Sequence, residues 1–476
     1  MPPTSPLELD HATMQRLGRR IADLVAAHLA TLRDRPIRRI LPPEHLAALL
    51  ASPSPRQGRD FEQLLTYLEH QVFPYHASEP NPGYLAFVQG CPTFPAVMGD
   101  WLAAGFNFFS GAWAVSPGPN ALELLVLEWF RQWLGCPEGT GGLLTSGGSA
   151  ATLTAVIAAR HAVVGDDPSR IPRLVLYTSE QAHSSVIRAA WIAGVSRKQV
   201  RLLPVDDQWR MDPERLFAAI AADRAAGLLP LMVVGTAGTT NTGSVDPLPA
   251  LARLCAAEQL WLHVDAAYGG FAALAPKGKQ SLAGIELADS VTLDPHKFLA
   301  VPFECGCLLV REVRRLEEAF RIYPDYLKDH EPKSGEVNFA DRGEQLTRYA
   351  RAIKVWLGVS FYGTEALGAA ITEAIARAEY AEQIVRKSPE LEVMAPARLG
   401  ILCFRAHPRG WESGERLDDL NRRVMARVND GGQYLISSTR LKGEFSLRIC
   451  TPGFRTTRAD IEAVLGQVVA AAQRET

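Results

Sequence analysis

Trp261-Leu262-His263-Val264-Asp265-Ala266-Ala267-Tyr268-Gly269-Gly270, followed further along by Ser290-Val291-Thr292-Leu293-Asp294-Pro295-His296-Lys297-Phe298, decides the fold class. Each segment opens on a short run suited to a buried strand and closes on an ionisable group, Asp265 in one and Lys297 in the other. Strands buried on both faces belong to parallel sheets covered by helices. In such sheets ligands gather beyond the carboxyl ends of the strands. The two segments therefore predict an α/β sheet with a site where Asp265 and Lys297 emerge.

The same alternation extends outward in both directions. Leu174 to Tyr177 reads as a strand and is followed by a helix from Ser184; Leu231 to Val234 is followed by a helix near Leu248 to Glu258. Strand, helix, strand in succession predicts a mostly parallel sheet between layers of helix. From about Phe361 long helices return, and the run Glu444 to Ile449 points to a smaller α+β unit. At the other end, Met14, Leu17, Ile21, Leu24, Val25, Leu29 and Leu32 recur at three- and four-residue steps, one apolar helical stripe that has to dock on something. Pro42-Pro43 and the stretch Ser52 to Pro55 break the chain after it. The expected division is a helical segment over 1–75, a large domain over 76–360 and a small C-terminal domain over 361–476.

Composition narrows the classes. Lys and Arg number 50 against 52 Asp and Glu, for a net charge of -2. That leaves no basic excess to follow a phosphate backbone, so nucleic acid is not an expected partner. No stretch stays apolar for the ~20 residues that cross a bilayer, and the opening Met-Pro-Pro-Thr-Ser-Pro is no secretory leader, so a soluble cytoplasmic protein without a membrane partner is expected. The seven cysteines are scattered without a Cys-x-x-Cys pair, and there is no His-Glu-x-x-His; neither disulfides nor a metal is expected.

Four segments carry the chemistry. Thr145-Ser146-Gly147-Gly148-Ser149 runs from a strand end into an apolar helix, where glycines permit close approach and unpaired N–H groups attract an anion; a simple helix cap reads the same way. Asp265 can keep a ring nitrogen protonated, or can cap the next turn. Lys297 is read as a buried lysine that has to be paired or chemically used, as an imine former for instance; the generic alternative, a solvated surface lysine, is disfavoured by the apolar flanks Val291, Leu293, Phe298 and Leu299. His183, in Gln181-Ala182-His183-Ser184-Ser185, can lie over an aromatic ring or be a satisfied structural residue.

Together and in this order, Gln-Ala-His-Ser-Ser, His-Val-Asp-Ala-Ala-Tyr-Gly and Asp-Pro-His-Lys resemble the group II decarboxylases that depend on pyridoxal phosphate (PLP), the aromatic L-amino-acid and glutamate decarboxylase family. The resemblance runs from Asn81-Pro82 to the C-terminus. It implies the PLP-dependent transferase fold type I: a large domain with a mixed, mostly parallel seven-stranded sheet between helices, a small C-terminal α+β domain and an N-terminal helical segment. It implies pyridoxal 5'-phosphate as cofactor, an amino-acid substrate, and a homodimer in which the N-terminal helices wrap the partner.

On that likeness Lys297 is the Schiff-base lysine, Asp265 pairs with the pyridinium nitrogen and His183 stacks on the ring. Gly148, Ser149 and His296 hold the phosphate, and Thr240, Ala267 and Asp246 stand around the cofactor. Phe87, Val88, Gly111, Trp113 and Thr347 are implied for the substrate pocket. Phe320 to Lys328 resembles the family's catalytic loop, in which Tyr326 returns a proton to the α-carbon, and the polar stretch Asp329 to Gly335 suits a lid.

Two departures stand out. Asp294 occupies a position where many relatives have asparagine, and an anion beside a phosphate is unfavourable unless neutralised or turned away. Val88 and Gly111 replace phenylalanines of the animal aromatic decarboxylases, which suggests a wider pocket. Ala86-Phe87, where glutamate relatives carry Asn-Gln, favours an aromatic substrate such as tyrosine, DOPA, tryptophan or phenylalanine over an acidic one. Retention of both His183 and Tyr326 favours plain decarboxylation over aldehyde synthesis. Competing readings are an aromatic aldehyde synthase, a decarboxylase of glutamate or diaminobutyrate, and a catalytically silent PLP-binding paralogue; a nucleotide-binding enzyme lacks its Gly-x-Gly-x-x-Gly or P-loop.

Overall fold

The computed structural model describes residues 5, 7–322, 333 and 335–476. Three helices come first: α1 (His11–Ala30), α2 (Pro43–Leu50) and α3 (Phe61–Tyr67). Asp10 caps α1 by accepting the Thr13 N–H at 2.8 Å, which satisfies one of the orphan donors of its first turn. None of the α1 residues is fully buried; Met14 to Leu29 of the stripe read from the sequence lie on α1, while Leu32 lies beyond its end and is buried. Two more helices, α4 (Phe94–Phe106) and α5 (Pro117–Leu134), each carry proline in the first turn, where its missing N–H costs nothing.

The main sheet then forms from β1 (Gly141–Thr145), β2 (Leu174–Ser179), β3 (Val200–Leu203), β4 (Leu229–Thr236), β5 (Trp261–Asp265), β6 (Ser290–Leu293) and β7 (Gly306–Val310). Between them lie α6 (Gly148–Val164), α7 (Ser184–Ile192), α8 (Pro213–Ala225), α9 (Leu248–Glu258) and α10 (Pro276–Ser281), and α11 (Arg314–Phe320) follows β7. The strand order is β1-β7-β6-β5-β4-β2-β3. Only β7 runs antiparallel to its neighbours β1 and β6; β2 to β6 pair in parallel. The seven-stranded, mostly parallel sheet is thus as expected. The central strands are buried along nearly their whole length, which is why they read as apolar runs without alternation.

Beyond the sheet, α12 (Ala352–Lys387) is interrupted at Gly363, whose φ of 75° is one that glycine adopts readily. The smaller unit is an antiparallel sheet of β8 (Leu391–Arg398), β9 (Ile401–Ala406), β10 (Ser437–Leu441) and β11 (Glu444–Cys450), in the order β10-β11-β9-β8, with α13 (Glu415–Asp430) and α14 (Arg458–Glu475) against it. Thr457 and Asp460 form a reciprocal capping box at the start of α14. Phe130, Leu144, Tyr177, Val233, Val264 and Leu308 belong to one buried cluster, which also takes in Ile401, Cys403 and Cys450 from the smaller sheet, and Leu402, Phe404, Leu420, Leu447 and Val464 belong to another. Each such side chain stabilises its unit by about 1.5–3 kcal/mol.

Candidate active site

The turn from β1 into α6 is held from behind. Glu123 Oε1 accepts the Leu144 N–H at 2.8 Å, and Arg348 Nη2 donates to the Leu144 carbonyl at 2.6 Å. Thr145 Oγ1 donates to the Gly147 carbonyl at 3.0 Å, which closes the turn. The N–H groups of Gly148, Ser149 and Ala150 then donate to no described residue, so three donors and the positive end of a 17-residue helix face the cavity. Gly148 is glycine because of crowding: a Cβ there would stand 3.0 Å from both Ala267 Cβ and Asp294 Oδ2.

At the end of β5, Asp265 is buried and its Oδ1 accepts the Ala267 N–H at 3.1 Å. Burial pushes this carboxyl up from its ordinary value, and the positive charge of Lys297 opposes that shift. Two residues earlier, His263 is fully buried between Ser290 Oγ (2.8 Å from Nδ1) and Thr292 Oγ1 (3.2 Å from Nε2). Burial pulls its pKa down to about 3, so it is a neutral tie between β5 and β6.

Lys297 follows β6 through a turn in which its N–H donates to the Asp294 carbonyl, while the Asp294 N–H reaches the Ala267 carbonyl at 3.2 Å. Its Nζ lies 3.0 Å from Asp294 Oδ2. Asp294 is 3% exposed, and its Oδ1 has no hydrogen-bond partner. His296 donates from Nδ1 to the Cys305 carbonyl at 2.7 Å and places Nε2 3.6 Å from Asp294 Oδ2; burial lowers its pKa and the Asp294 charge opposes this. His183 caps α7: Nδ1 accepts the Ser185 N–H at 3.3 Å, which leaves Nε2 to carry a ring proton.

These groups share one cavity of about 300 Å³. Lining it are Gly148, Ser149, His183, Thr240, Asp265, Ala267, His296 and Lys297, all of which the sequence placed about the cofactor. Thr236 and Tyr268 line it too and were not singled out. Thr236 ends β4 with a buried hydroxyl lacking a partner, and Tyr268 stacks on Phe298 with ring centres 4.9 Å apart. Tyr268 stands inside the quoted β5 segment, so its position was readable; Thr236 has no local signal beyond closing a strand.

Asp246 and the residues implied for the substrate lie elsewhere in the single chain. Asp246 lines a separate cleft and accepts the N–H groups of Met211 and Thr236, each at 2.7 Å. Phe87 is exposed, with φ of 49°, and Val88 packs at the edge of the main core. Gly111 has no free space beside it, since a Cβ would meet the Leu346 carbonyl oxygen at 2.5 Å and the Phe109 ring at 2.7 Å. Trp113 is half-buried with its N–H on Asn338 Oδ1 at 2.9 Å, and Thr347 is exposed. None of these lines the cavity around Lys297. Tyr326 lies outside the described residues.

The residues present fit pyridoxal phosphate at three points: unused N–H donors at the start of α6 for a phosphate, a buried carboxylate for a ring nitrogen, and an amine for an aldehyde. Asp294, buried with Oδ2 against Gly148, is a carboxyl group that an anion seated there has to accommodate. Among the described residues no cluster of His, Cys, Asp or Glu could hold a metal ion, and no helix is long and apolar enough to cross a membrane.

Known proteins resemble the chain over most of its length. Residues 43–407 match the pyridoxal-dependent decarboxylase conserved domain. An aromatic-L-amino-acid decarboxylase of Bacillus atrophaeus is 37% identical over 468 residues, 98% of this chain and 97% of that one. The crystal structure of Oryza sativa TDC with PLP and tryptamine superposes with a TM-score of 0.94 at 29% identity, covering 99% of each chain. That of Rhodiola rosea 4-hydroxyphenylacetaldehyde synthase gives 0.90 at 27% identity, again over 99% of each.

Proposed function

The chain belongs to the pyridoxal-dependent decarboxylase family, with the fold type I architecture of a large mixed-sheet domain, a small C-terminal α+β domain and N-terminal helices, and from that premise we propose that it removes the α-carboxyl group of an aromatic L-amino acid to release the amine and carbon dioxide. The observation that carries this reading is the placement of Lys297, Asp265 and His183 around one cavity at the start of α6. Bound pyridoxal phosphate supplies an electron sink for the pair left when carbon dioxide departs.

The chain's own residues do the rest. Lys297 would hold the cofactor's aldehyde through its amine and give that place up to the substrate's amine. Asp265, buried at the end of β5, would keep a proton on the cofactor's ring nitrogen, a pairing that gains from the exclusion of water. Gly148, Ser149 and His296 hold the phosphate end, and His183 covers the ring with Nε2–H free to donate. Tyr326 returns a proton to the substrate's α-carbon.

An aromatic substrate is supported by the relatives named above. The likeness to the Rhodiola rosea aldehyde synthase favours one second reading, oxidative formation of an aldehyde. A homodimer would cover apolar side chains that the chain leaves exposed: Leu46, Leu50, Tyr67 and Phe73 on or near α2 and α3, Trp101 and Phe106 on α4, and Phe361 on α12. The test is to incubate the cofactor-loaded protein with tyrosine, DOPA, tryptophan and phenylalanine, counting carbon dioxide and identifying the product. Amine without ammonia or peroxide supports decarboxylation; aldehyde with both supports the second reading; turnover of glutamate or diaminobutyrate alone overturns the substrate class.

A further inference from the structure

The seat at the start of α6 already contains a carboxyl group. Asp294 is buried, its Oδ2 lies against Gly148, and its Oδ1 is unpartnered. Within the chain its charge is balanced by Lys297 at 3.0 Å, with His296 Nε2 at 3.6 Å. The other ionisable groups about it are few. Asp265 from β5 adds negative charge, and His183 at the start of α7 faces Asp265 across the cavity. Lys354 from α12 acts on His296 from a distance, and the thiols of Cys305 and Cys307, pushed up by burial and by the Asp294 charge among others, remain protonated. Lys297 is thus the one cation in contact with Asp294 among the described residues, and it is also the residue whose amine is consumed when an aldehyde binds.

We infer that Asp294 makes occupation of this site proton-coupled: a phosphate-bearing ligand enters together with one proton from solvent, shared between its phosphate and the Asp294 carboxylate. The inference rests on the cofactor reading given above. A phosphate carries its second charge above a pKa of about 6. Seating that dianion beside a buried carboxylate places two like charges in a region of low dielectric, where repulsion is strong and a proton relieves it. Asp294 is then a positioning residue that sets the pH at which the enzyme retains its cofactor, and asparagine at this position would remove the coupling while keeping the shape.

The experiment measures the affinity of the cofactor-stripped protein for pyridoxal phosphate, and for pyridoxal lacking the phosphate, between pH 6.5 and 9, in the native chain and in D294N. The expected result is a native affinity for pyridoxal phosphate that falls, relative to that for pyridoxal, by about tenfold per pH unit, the signature of one proton. In D294N that relative slope is lost and binding at the alkaline end is tighter by about tenfold or more. Inorganic phosphate, used as a competitor on the native chain, should protect the site less as the pH rises. Equal slopes in native and D294N, or competition by phosphate that ignores pH, overturns the role of Asp294. A native chain that takes up neither compound at any pH overturns instead the cofactor reading on which the inference rests.

Discussion

The Glu123 carboxylate on α5 and the Arg348 guanidinium meet at 2.7 Å with neither side chain exposed, and between them they hold both backbone groups of Leu144. The pair therefore fixes the last turn of chain before Gly148 and Ser149. Its worth is asymmetric: removing one partner strands the other charge in the core. E123A is expected to lower stability by about 3–5 kcal/mol, with E123Q milder, read as a drop in denaturant midpoint at unchanged slope. A loss under about 1 kcal/mol would show that Arg348 finds water or another partner.

Asp265→Asn keeps the hydrogen bond to the Ala267 N–H within reach but removes the charge that holds a proton on the ring nitrogen. The variant should still capture the cofactor on Lys297, while carbon dioxide release falls by about a hundredfold or more, the scale of losing a preorganised charge in a dry site. Undiminished turnover would exclude Asp265 from the chemistry.

Tyr326→Phe removes the phenol assigned to protonation of the α-carbon. Substrate consumption is expected to continue with the product moving from amine toward aldehyde, measured by separating both from one reaction. An unchanged amine yield would take Tyr326 out of the mechanism.

His263 makes acid stability pH-dependent. Unfolded, it gains a proton as the pH falls through about 6.5; folded, burial delays this to about 3. The unfolded state binds more protons in between, so this residue weakens the fold on acidification by about 1.4 kcal/mol per pH unit. Asp246 has the opposite sign: burial raises it from 3.8 to about 6, so acidification through that range favours the folded state. In H263Q the His263 contribution is removed while that of Asp246 remains. Its stability relative to the native chain should rise between pH 6 and 4 in denaturant titrations, and parallel curves would contradict the buried neutral histidine.

Much of this was legible along the chain. Buried parallel strands read as apolar runs ending in charge, and the boundaries of β6 and α9 are those expected from the sequence. The residues about Lys297 were legible because sheet topology gathers the carboxyl ends of β4, β5 and β6, each close to its own motif. What was not legible depends on distant pairing. Nothing local marks Gly306–Val310 as the strand that runs antiparallel between β1 and β6, or couples Glu123 to Arg348 across 225 positions. Gly111 shows the same limit: a missing side chain suggested added room, but the Leu346 carbonyl and the Phe109 ring stand where a Cβ would go.

The central claim is a covalent attachment at one lysine, and it is tested most directly by adding pyridoxal phosphate to the purified chain, reducing with borohydride and mapping the modified peptide by mass spectrometry. The account predicts an absorbance band near the visible edge before reduction and a single pyridoxyl group on the peptide that carries Lys297, both absent in K297A. A colourless protein, or an adduct spread over surface lysines and undiminished in K297A, would contradict it.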